Sequence, residues 1–199
     1  QAHGGLINVF TIDAAIRGTE SLARLPFTGG NEVELLIDGE TTFESIFAGI
    51  DSAQDYVLVQ FYIVQDGTVA RRLRDALIEK AQTGVRVYFL YDEIGCLSLP
   101  AAYLDALRKA SIEVSGFKTT RGRRNRFQIN FRNHRKLLVV DGRIGFIGGL
   151  NLADEYLAFR DTHLKIKGPA AQHIQFSILK DWFWANRQVP EVSKTIQPA

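Results

Sequence analysis

A histidine and a lysine open an apolar stretch of this sequence, in NHRKLLVVDGR at residues 133–143. The apolar residues Leu137 to Val140 are typical of a buried strand, and residues two apart on a strand point to the same side. His134 and Lys136 would therefore present an imidazole and an ammonium group side by side. A histidine can act as a nucleophile through one ring nitrogen when a carboxylate holds the proton on the other, and a lysine suits phosphate oxygens. The pair predicts a site that handles phosphate.

The spacing of the residues that follow supports this interpretation. After His-x-Lys come four residues and Asp141, and then Gly148, Gly149 and Asn151. Two glycines let a backbone approach a ligand closely, and the amide of an asparagine adds a donor for a non-bridging oxygen. Asp141 also starts an Asp-Gly pair between two apolar runs. Because this pair is the strongest short-range signal for a tight hairpin, it favours a turn role for the aspartate.

This pattern resembles the motif of the phospholipase D superfamily, HxKxxxxD followed by a small pair and Asn. Residues 30–187 also resemble the amino-terminal half of the bacterial cardiolipin synthases, in FRNHRKLLVVDG, YDEIG, GLNLADEYL, RDTHLKIKGPA and DWFWA. The resemblance implies transfer of a phosphodiester through a covalent phosphohistidine, without metal or cofactor. Two motifs meet in that family: one histidine attacks phosphorus, and the other protonates the departing alcohol. Phosphatidylglycerol is then the donor, glycerol leaves, and a second phosphatidylglycerol accepts.

The resemblance also assigns the site residues. His134 would be the nucleophile or its acid–base partner, and Lys136 and Asn151 would hold phosphate oxygens. Asp161 falls where the family places the acid that orients the histidine, and Asp141 completes the motif as the last member of the catalytic set. Candidate substrate contacts are the small pair and the arginines near the histidine: Gly148, Gly149, Arg132 and Arg135.

The chain contains a single HxKxxxxD motif. A second His-x-Lys, at His163 and Lys165, has Ala170 where the aspartate would fall, so we interpret it as structural. The other half of the active site is therefore expected from the same parent chain or from a dimer partner.

Length and composition bound the remaining expectations. With 199 residues, 22.3 kDa and 46% hydrophobic residues, the chain can bury one full core. We expect a lead-in over residues 1–29 and one phospholipase D-like domain over 30–199. The single cysteine excludes a disulfide framework, and the lack of methionine indicates a processed piece or an excised domain. No apolar run reaches the roughly 20 residues of a membrane helix, so we expect a soluble piece of a bacterial cytoplasmic-membrane protein.

Strand and helix patterns alternate after residue 30, which predicts an α/β domain whose mixed sheet is flanked by helices on both faces. Thr41 and Glu44 would form a capping box at the start of the first predicted helix. Strands are predicted at residues 33–38, 56–64, 85–91 and near 112–117, then in a hairpin over 136–149 and at 161–168. Helices are predicted at residues 41–53, 69–82, 99–110 and 169–187.

The formal net charge of +2 is small, but basic residues cluster in one segment without an acid among them. The segment could be a solvated loop or a surface for anionic headgroups, each basic residue then contributing about 1 kcal/mol. Its basic residues are Lys118, Arg121, Arg123, Arg124, Arg126, Arg132, Arg135 and Lys136.

Three functions remain in competition. The first is half of a phosphatidyltransferase that uses phosphatidylglycerol or another phosphodiester at an anionic membrane surface. The second is a phosphodiesterase or nuclease made of two single-motif chains, with the basic segment along a nucleic acid backbone. The third is a catalytically silent module for anionic lipid or phosphorylated ligands. The wider resemblance favours the first function, and nucleic acid is the less favoured partner.

Overall fold

The computed structural model describes residues 9–117 and 133–192, with nothing beyond the backbone for residues 9–12. Residues 118–132 of the predicted basic segment lie outside the described residues. The helices and strands follow one another in this order: α1 (Val9–Ala23), β1 (Glu32–Ile37), α2 (Gly39–Asp51), β2 (Tyr56–Phe61), α3 (Thr68–Gln82), β3 (Arg86–Asp92), α4 (Ala101–Lys109), β4 (Glu113–Phe117), β5 (Leu137–Val140), β6 (Ile144–Gly148), a 3-10 helix (Asp154–Leu157), β7 (Thr162–Lys167) and α5 (Ala170–Asn186).

In the described part of the chain, seven strands form one sheet in the order β1-β7-β6-β5-β2-β3-β4. The pairs β2–β3 and β3–β4 are parallel, and each is joined through a crossover helix, α3 or α4, as parallel neighbours require. The pairs β2–β5, β5–β6, β6–β7 and β7–β1 are antiparallel. The prediction of a mixed α/β sheet is therefore confirmed.

Helices cover both faces of this sheet, as predicted. Alternate residues of β2 point to opposite faces. Val57 and Val59 belong to the core cluster that also contains the buried residues of α2, α3 and α4. Leu58 packs in a second cluster with Ile174 and Ile178 of α5. The sheet is thus sandwiched between three helices on one face and α5 on the other.

The predicted capping box at the start of α2 is wrong. The helix begins at Gly39 with Asp38 as its N-cap, so Thr41 already lies inside the first turn. Glu44 forms an ion pair with Arg72 of α3 instead of reaching back to the backbone. The helix begins two residues earlier than predicted because Gly39 packs against the 3-10 helix. An added Cβ on Gly39 would lie 1.9 Å from the carbonyl oxygen of Tyr156.

Two further differences concern the length of strand β2 and the structure of the lead-in. The predicted strand over residues 56–64 ends at Phe61, and Tyr62 lies beyond its end. The lead-in contains helix α1, which the sequence did not indicate, and Leu22 on this helix is 90% exposed.

Across residues 9–117 and 133–192, no helix combines the length and apolarity that crossing a membrane would require.

The hairpin between β5 and β6 turns at Asp141 and Gly142, which have φ angles of 52° and 65°. Both central residues of a type I′ turn need positive φ, so the Asp-Gly pair matches its position. The Asp141 carboxylate accepts backbone hydrogen bonds from Gln54 at 2.9 Å, Asp55 at 2.9 Å and Tyr56 at 2.8 Å. The side chain therefore ties the hairpin to the start of β2.

Replacing Asp141 by alanine should lower the free energy of unfolding by about 3 kcal/mol, because three N–H groups lose their acceptor and alanine tolerates positive φ poorly. Asp141→Asn keeps one carbonyl oxygen and a residue suited to that φ, so it should cost about 1 kcal/mol. Urea denaturation measures both. The control Asp105→Ala, which removes an exposed ion pair with Arg108, should change stability by less than about 1 kcal/mol. An Asp141→Ala protein as stable as the parent would contradict this role.

Candidate active site

Most of the predicted site residues lie at one edge of the sheet. Because β5 runs antiparallel to β2 and β6, its amino end lies beside their carboxyl ends. The amino end of β7 reaches the same edge, since Gly148 on β6 pairs with His163 on β7. The carboxyl end of β3 completes this edge beside β2. In α/β sheets, ligand sites form at such strand ends.

Asp92, at the end of β3, anchors the segment that leads into the motif. Its side chain is buried, and one carboxylate oxygen accepts hydrogen bonds from the backbone N–H groups of Ile94 at 3.0 Å and Gly95 at 2.9 Å. The other oxygen accepts a bond from the N–H of Asn133 at 3.1 Å. These three bonds satisfy a buried charge and place His134 directly after a fixed residue.

A second carboxylate, Asp181 on α5, accepts hydrogen bonds from three side chains. The side-chain amides of Gln60 and Asn133 each donate to it at 2.8 Å. The guanidinium of Arg135 donates to the same oxygen in an ion pair. Arg135, a predicted substrate contact, is thus engaged with α5 in this structure. Arg132, its predicted companion, lies outside the described residues.

The motif histidine and lysine lie close together, as predicted, but both precede β5 and do not lie on a strand. His134 is exposed, and its ring stacks on the ring of Tyr62 with centroids 3.9 Å apart and an interplanar angle of 19°. The Nζ of Lys136 donates a hydrogen bond to the carbonyl oxygen of His134 at 2.7 Å and lies 5.2 Å from the centroid of the Tyr62 ring. Burial lowers the pKa of Lys136, and the charge of Asp161 acts in the opposite direction.

Sequence reasoning missed Tyr62. The residue follows β2 directly and is buried, so its ring forms the floor beneath the two motif side chains. The available signal was its place at the carboxyl end of a strand buried on both faces, where ligand sites form. The apolar pattern instead predicts a strand that continues past this residue to position 64.

Asn151 is buried at the same edge, and its side chain bonds to protein groups. The amide oxygen accepts a hydrogen bond from the N–H of Ile63 at 3.1 Å, and the amide nitrogen donates to the hydroxyl of Tyr156 at 2.9 Å. An amide nitrogen carries two hydrogens, and the bond to Tyr156 uses one of them. The residue also fixes the chain just after Tyr62.

The glycine pair makes room for two side chains, Asp161 just before β7 and His163 on β7. A Cβ on Gly148 would lie 2.2 Å from Nδ1 of His163, and one on Gly149 would lie 2.3 Å from a carboxylate oxygen of Asp161. The sequence predicts that a ligand approaches the backbone at these glycines. The structure provides a different reason for the absence of a side chain at each position, namely contact within the protein.

His163, which the sequence analysis set aside as structural, lies within this constellation. It is 2% exposed, and its Nδ1 has no hydrogen-bond partner among the described residues. Burial lowers the pKa of His163 to about 4, Asp161 opposes this shift, and Lys136 adds to it. A neutral imidazole therefore lies next to a lysine and an aspartate.

Asp161 is near Lys136 and His163 but is not bonded to the motif histidine. One carboxylate oxygen accepts a hydrogen bond from the N–H of Thr162. In the two described ranges, no hydrogen bond joins Asp161 to His134. The predicted contact between orienting acid and histidine is therefore not formed in this structure.

Asp141 lies far from the other site residues. It follows β5, whereas Lys136 precedes this strand, so at about 3.4 Å per residue the two are separated by about 17 Å. Its placement in the catalytic set does not fit this position. The acid of the motif instead has the hairpin role described above.

Metal-ligating side chains are dispersed in the part of the chain that the structure describes. No group of three or more His, Cys, Asp or Glu residues lies close enough there to hold a metal ion. Cys96, the single cysteine, is buried, and burial raises the pKa of its thiol to about 12.

The fold matches solved structures, one of which is a phospholipase D family member. Nuc, a phospholipase D family member from Salmonella typhimurium, has a TM-score of 0.61 at 16% identity, and the match covers 78% of this chain and 97% of that chain. NucT from Helicobacter pylori has a TM-score of 0.59 at 18% identity, covering 77% and 94%. At this level of identity the likeness shows the fold alone.

The sequence comparisons are more specific. Residues 46–182 match the family described as "Cardiolipin synthase, PLD-like domain". Cardiolipin synthase A of Pseudomonas putida (strain GB-1) is 49% identical over 184 residues, which make up 89% of this chain and 38% of that protein. Cardiolipin synthase A of Pseudomonas syringae pv. syringae (strain B728a) is 46% identical over 187 residues, or 90% and 39%. The chain spans less than two fifths of the length of these relatives.

This chain belongs to the cardiolipin synthase family of phospholipase D-like domains. The resemblance recognised in the sequence is thereby confirmed.

Gly148→Ala should destabilise the protein by about 3 kcal/mol, because the new methyl group would overlap the imidazole of His163. In a His163→Ala background the methyl group has space, so the same substitution should cost at least about 1 kcal/mol less. Denaturant unfolding of the four proteins of this double-mutant cycle measures the coupling. Gly29→Ala is the control, since no atom lies within 4 Å of its Cβ position. Additive costs in the cycle would refute the contact.

The buried His163 should make stability fall as the pH is lowered. Its pKa of about 4 in the folded state lies below its ordinary value of 6.5, so the unfolded chain binds more protons between these values. Stability is retained above about pH 6.5 and is lost progressively down to about pH 4. Between pH 7 and pH 5 the loss should be about 2 kcal/mol.

Urea unfolding of the parent and of His163→Gln at both pH values isolates this contribution, because the remaining titratable groups are shared. The parent should lose about 2 kcal/mol more than the variant. Equal losses in the two proteins would show that His163 titrates normally.

Proposed function

We propose that this chain supplies one half of the active site of a phospholipase D-type phosphatidyltransferase that makes cardiolipin from two molecules of phosphatidylglycerol. The single observation that carries the proposal is that the exposed His134 imidazole and the Lys136 ammonium group lie together at the sheet edge, both against the ring of Tyr62. The family membership supports it, because the relatives are cardiolipin synthases.

The proposed reaction has two transfers. In the first, a ring nitrogen of His134 attacks phosphorus, an N–P bond forms, and the P–O bond to glycerol breaks. The glycerol oxygen takes a proton from an acid in the second half of the site. In the second transfer, the hydroxyl oxygen of another phosphatidylglycerol attacks phosphorus, its proton returns to that group, and the N–P bond breaks. His134 and the histidine of the second half could also exchange these roles.

Lys136 is suited to hold the phosphate oxygens. An ammonium group has three hydrogens, and one of them is used by the carbonyl oxygen of His134 at 2.7 Å, which leaves two for the substrate. Because its side chain is partly buried, its charge is screened less than at an open surface. The same hydrogen bond fixes the ammonium group beside the nucleophile.

Asn151 and Asp161 complete the proposed half-site. The second amide hydrogen of Asn151 would bind a non-bridging oxygen. Asp161 would hold the proton on the second nitrogen of His134. Since Asp161 bonds to Thr162 in this structure, its contact with His134 would form when substrate and the second half are in place.

The partners follow from the same proposal. With one HxKxxxxD motif in the sequence, a second motif must come from elsewhere in the parent protein or from a dimer partner. The substrate is a membrane lipid, so the parent would act at the bacterial cytoplasmic membrane, and the charge of the basic residues between 118 and 132 would favour binding to anionic headgroups.

In the full-length gene product, His134→Asn should lower cardiolipin formation from phosphatidylglycerol vesicles by about 10³-fold or more, because the nucleophile is lost. Mass spectrometry of the lipid products measures the change. His173→Asn on α5 is the matched control and should keep the parent rate. Unchanged lipid transfer by His134→Asn would disprove the proposal.

The covalent intermediate offers a second readout. Parent protein quenched at alkaline pH during turnover should yield a peptide modified at His134 through an acid-labile N–P bond. Vesicle binding without any turnover by the parent would instead support a silent lipid-binding module.

A further inference from the structure

The ring of Tyr62 contacts both reactive side chains of the motif. It stacks on His134 with a centroid distance of 3.9 Å and an angle of 19°. The Nζ of Lys136 lies 5.2 Å from the centroid of the same ring, within the range of a cation–π contact. One buried aromatic side chain thus touches the two groups that would attack and bind phosphate.

The backbone around Tyr62 is held from several directions. The Sγ of Cys96 donates a hydrogen bond to the carbonyl oxygen of Tyr62 at 3.5 Å and accepts one from the N–H of Val64 at 3.2 Å. A Cβ on Gly95 would lie 2.1 Å from the Tyr62 carbonyl oxygen, so the turn packs directly against it. The next N–H, of Ile63, donates to Asn151. The ring therefore rests on an anchored piece of chain.

The imidazole of His134 has few other restraints. The residue is exposed, and in residues 9–117 and 133–192 neither ring nitrogen takes part in a hydrogen bond. Stacking restrains the plane of the imidazole, and because the lone pair and the N–H bond of the two nitrogens lie in that plane, the ring of Tyr62 does not block them. A nucleophilic histidine needs this arrangement, because one nitrogen must reach phosphorus while the other keeps its proton.

We propose that Tyr62 is a positioning residue, which holds the imidazole plane of His134 by stacking so that its nitrogen edge faces the phosphate. The effect on rate rests on the function proposed above, whereas the stacking itself can be tested without any substrate. Misplacement of a reacting group by about 1 Å can cost about 10²-fold in rate, so loss of the ring should act mainly on kcat.

Two substitutions separate the ring from the hydroxyl group. Tyr62→Phe keeps the stacking surface, and Tyr62→Leu removes it. In the full-length gene product, Tyr62→Phe should retain kcat within about twofold, and Tyr62→Leu should lower kcat by about 10- to 100-fold with a smaller change in KM. Rates are measured with phosphatidylglycerol and with bis(p-nitrophenyl) phosphate, a diester without lipid chains.

Nuclear magnetic resonance of the 199-residue chain tests the geometry directly. The ring protons of His134 should be shifted upfield by the ring current of Tyr62, and with four histidines in the sequence a His134→Asn spectrum assigns them. The upfield shift should persist in Tyr62→Phe and disappear in Tyr62→Leu. Tyr103→Leu is the matched control, since it removes a buried tyrosine of α4 that does not touch His134.

The outcomes distinguish the two proposals. An unshifted His134 ring in the parent, or a Tyr62→Leu protein with parental kcat, would overturn the role of Tyr62. Equal losses in Tyr62→Phe and Tyr62→Leu would also overturn it, because the hydroxyl group and not the stack would then matter. If phosphatidylglycerol is not converted, but Tyr62→Phe and Tyr62→Leu show the expected kcat values with bis(p-nitrophenyl) phosphate, cardiolipin synthesis would be refuted and the positioning role would remain supported.

Discussion

The buried carboxylate of Asp92 is the constraint on which the geometry of the site depends. It bonds to the N–H groups of Ile94 and Gly95 on one side and to that of Asn133 on the other. The first pair shapes the turn whose Gly95 and Cys96 hold Tyr62, and the second bond fixes the residue before His134. Because one buried charge needs all three donors, the positions of the tyrosine and the histidine are coupled through it.

The pairing of β7 with β6 determines which charged and neutral groups lie beside Lys136 at the sheet edge. The glycine at position 148 admits the imidazole of His163, whose burial keeps it neutral at physiological pH. A charged histidine there would repel the Lys136 ammonium group. The glycines of the motif therefore contribute to the charge balance of the site, by admitting one neutral ring and one carboxylate beside the lysine.

Most of the helices and strands could be predicted because the sequence patterns that indicate them are local. Periodic apolar residues indicate α3 and the core strands, and the Asp-Gly pair predicts the hairpin. The two-residue spacing predicts His134 beside Lys136 on a strand; the two residues do lie close together, but both precede β5, which begins at Leu137. The start of α2 could not be predicted, since a contact between Gly39 and a segment more than 100 residues later determines it.

The parts of the site that the sequence did not indicate all depend on contacts distant in the chain. Tyr62 meets His134 because β2 pairs antiparallel with β5, and His163 meets the glycine pair through the register of β6 and β7. A motif names residues that are near in sequence. The register of strand pairing determines which residues of other strands lie beside the motif. That register depends on tertiary packing, which a local sequence pattern does not show.

The proposed chemistry explains why this arrangement would be incomplete alone. In phosphoryl transfer the attacking and leaving groups lie roughly in line on opposite sides of phosphorus. If the nitrogen of His134 attacks from one side, the same ring cannot protonate an alcohol that departs on the other. The acid must approach from beyond the sheet edge, where His134 is exposed to solvent. An exposed imidazole held flat on Tyr62 suits a site that a second half closes from the opposite side.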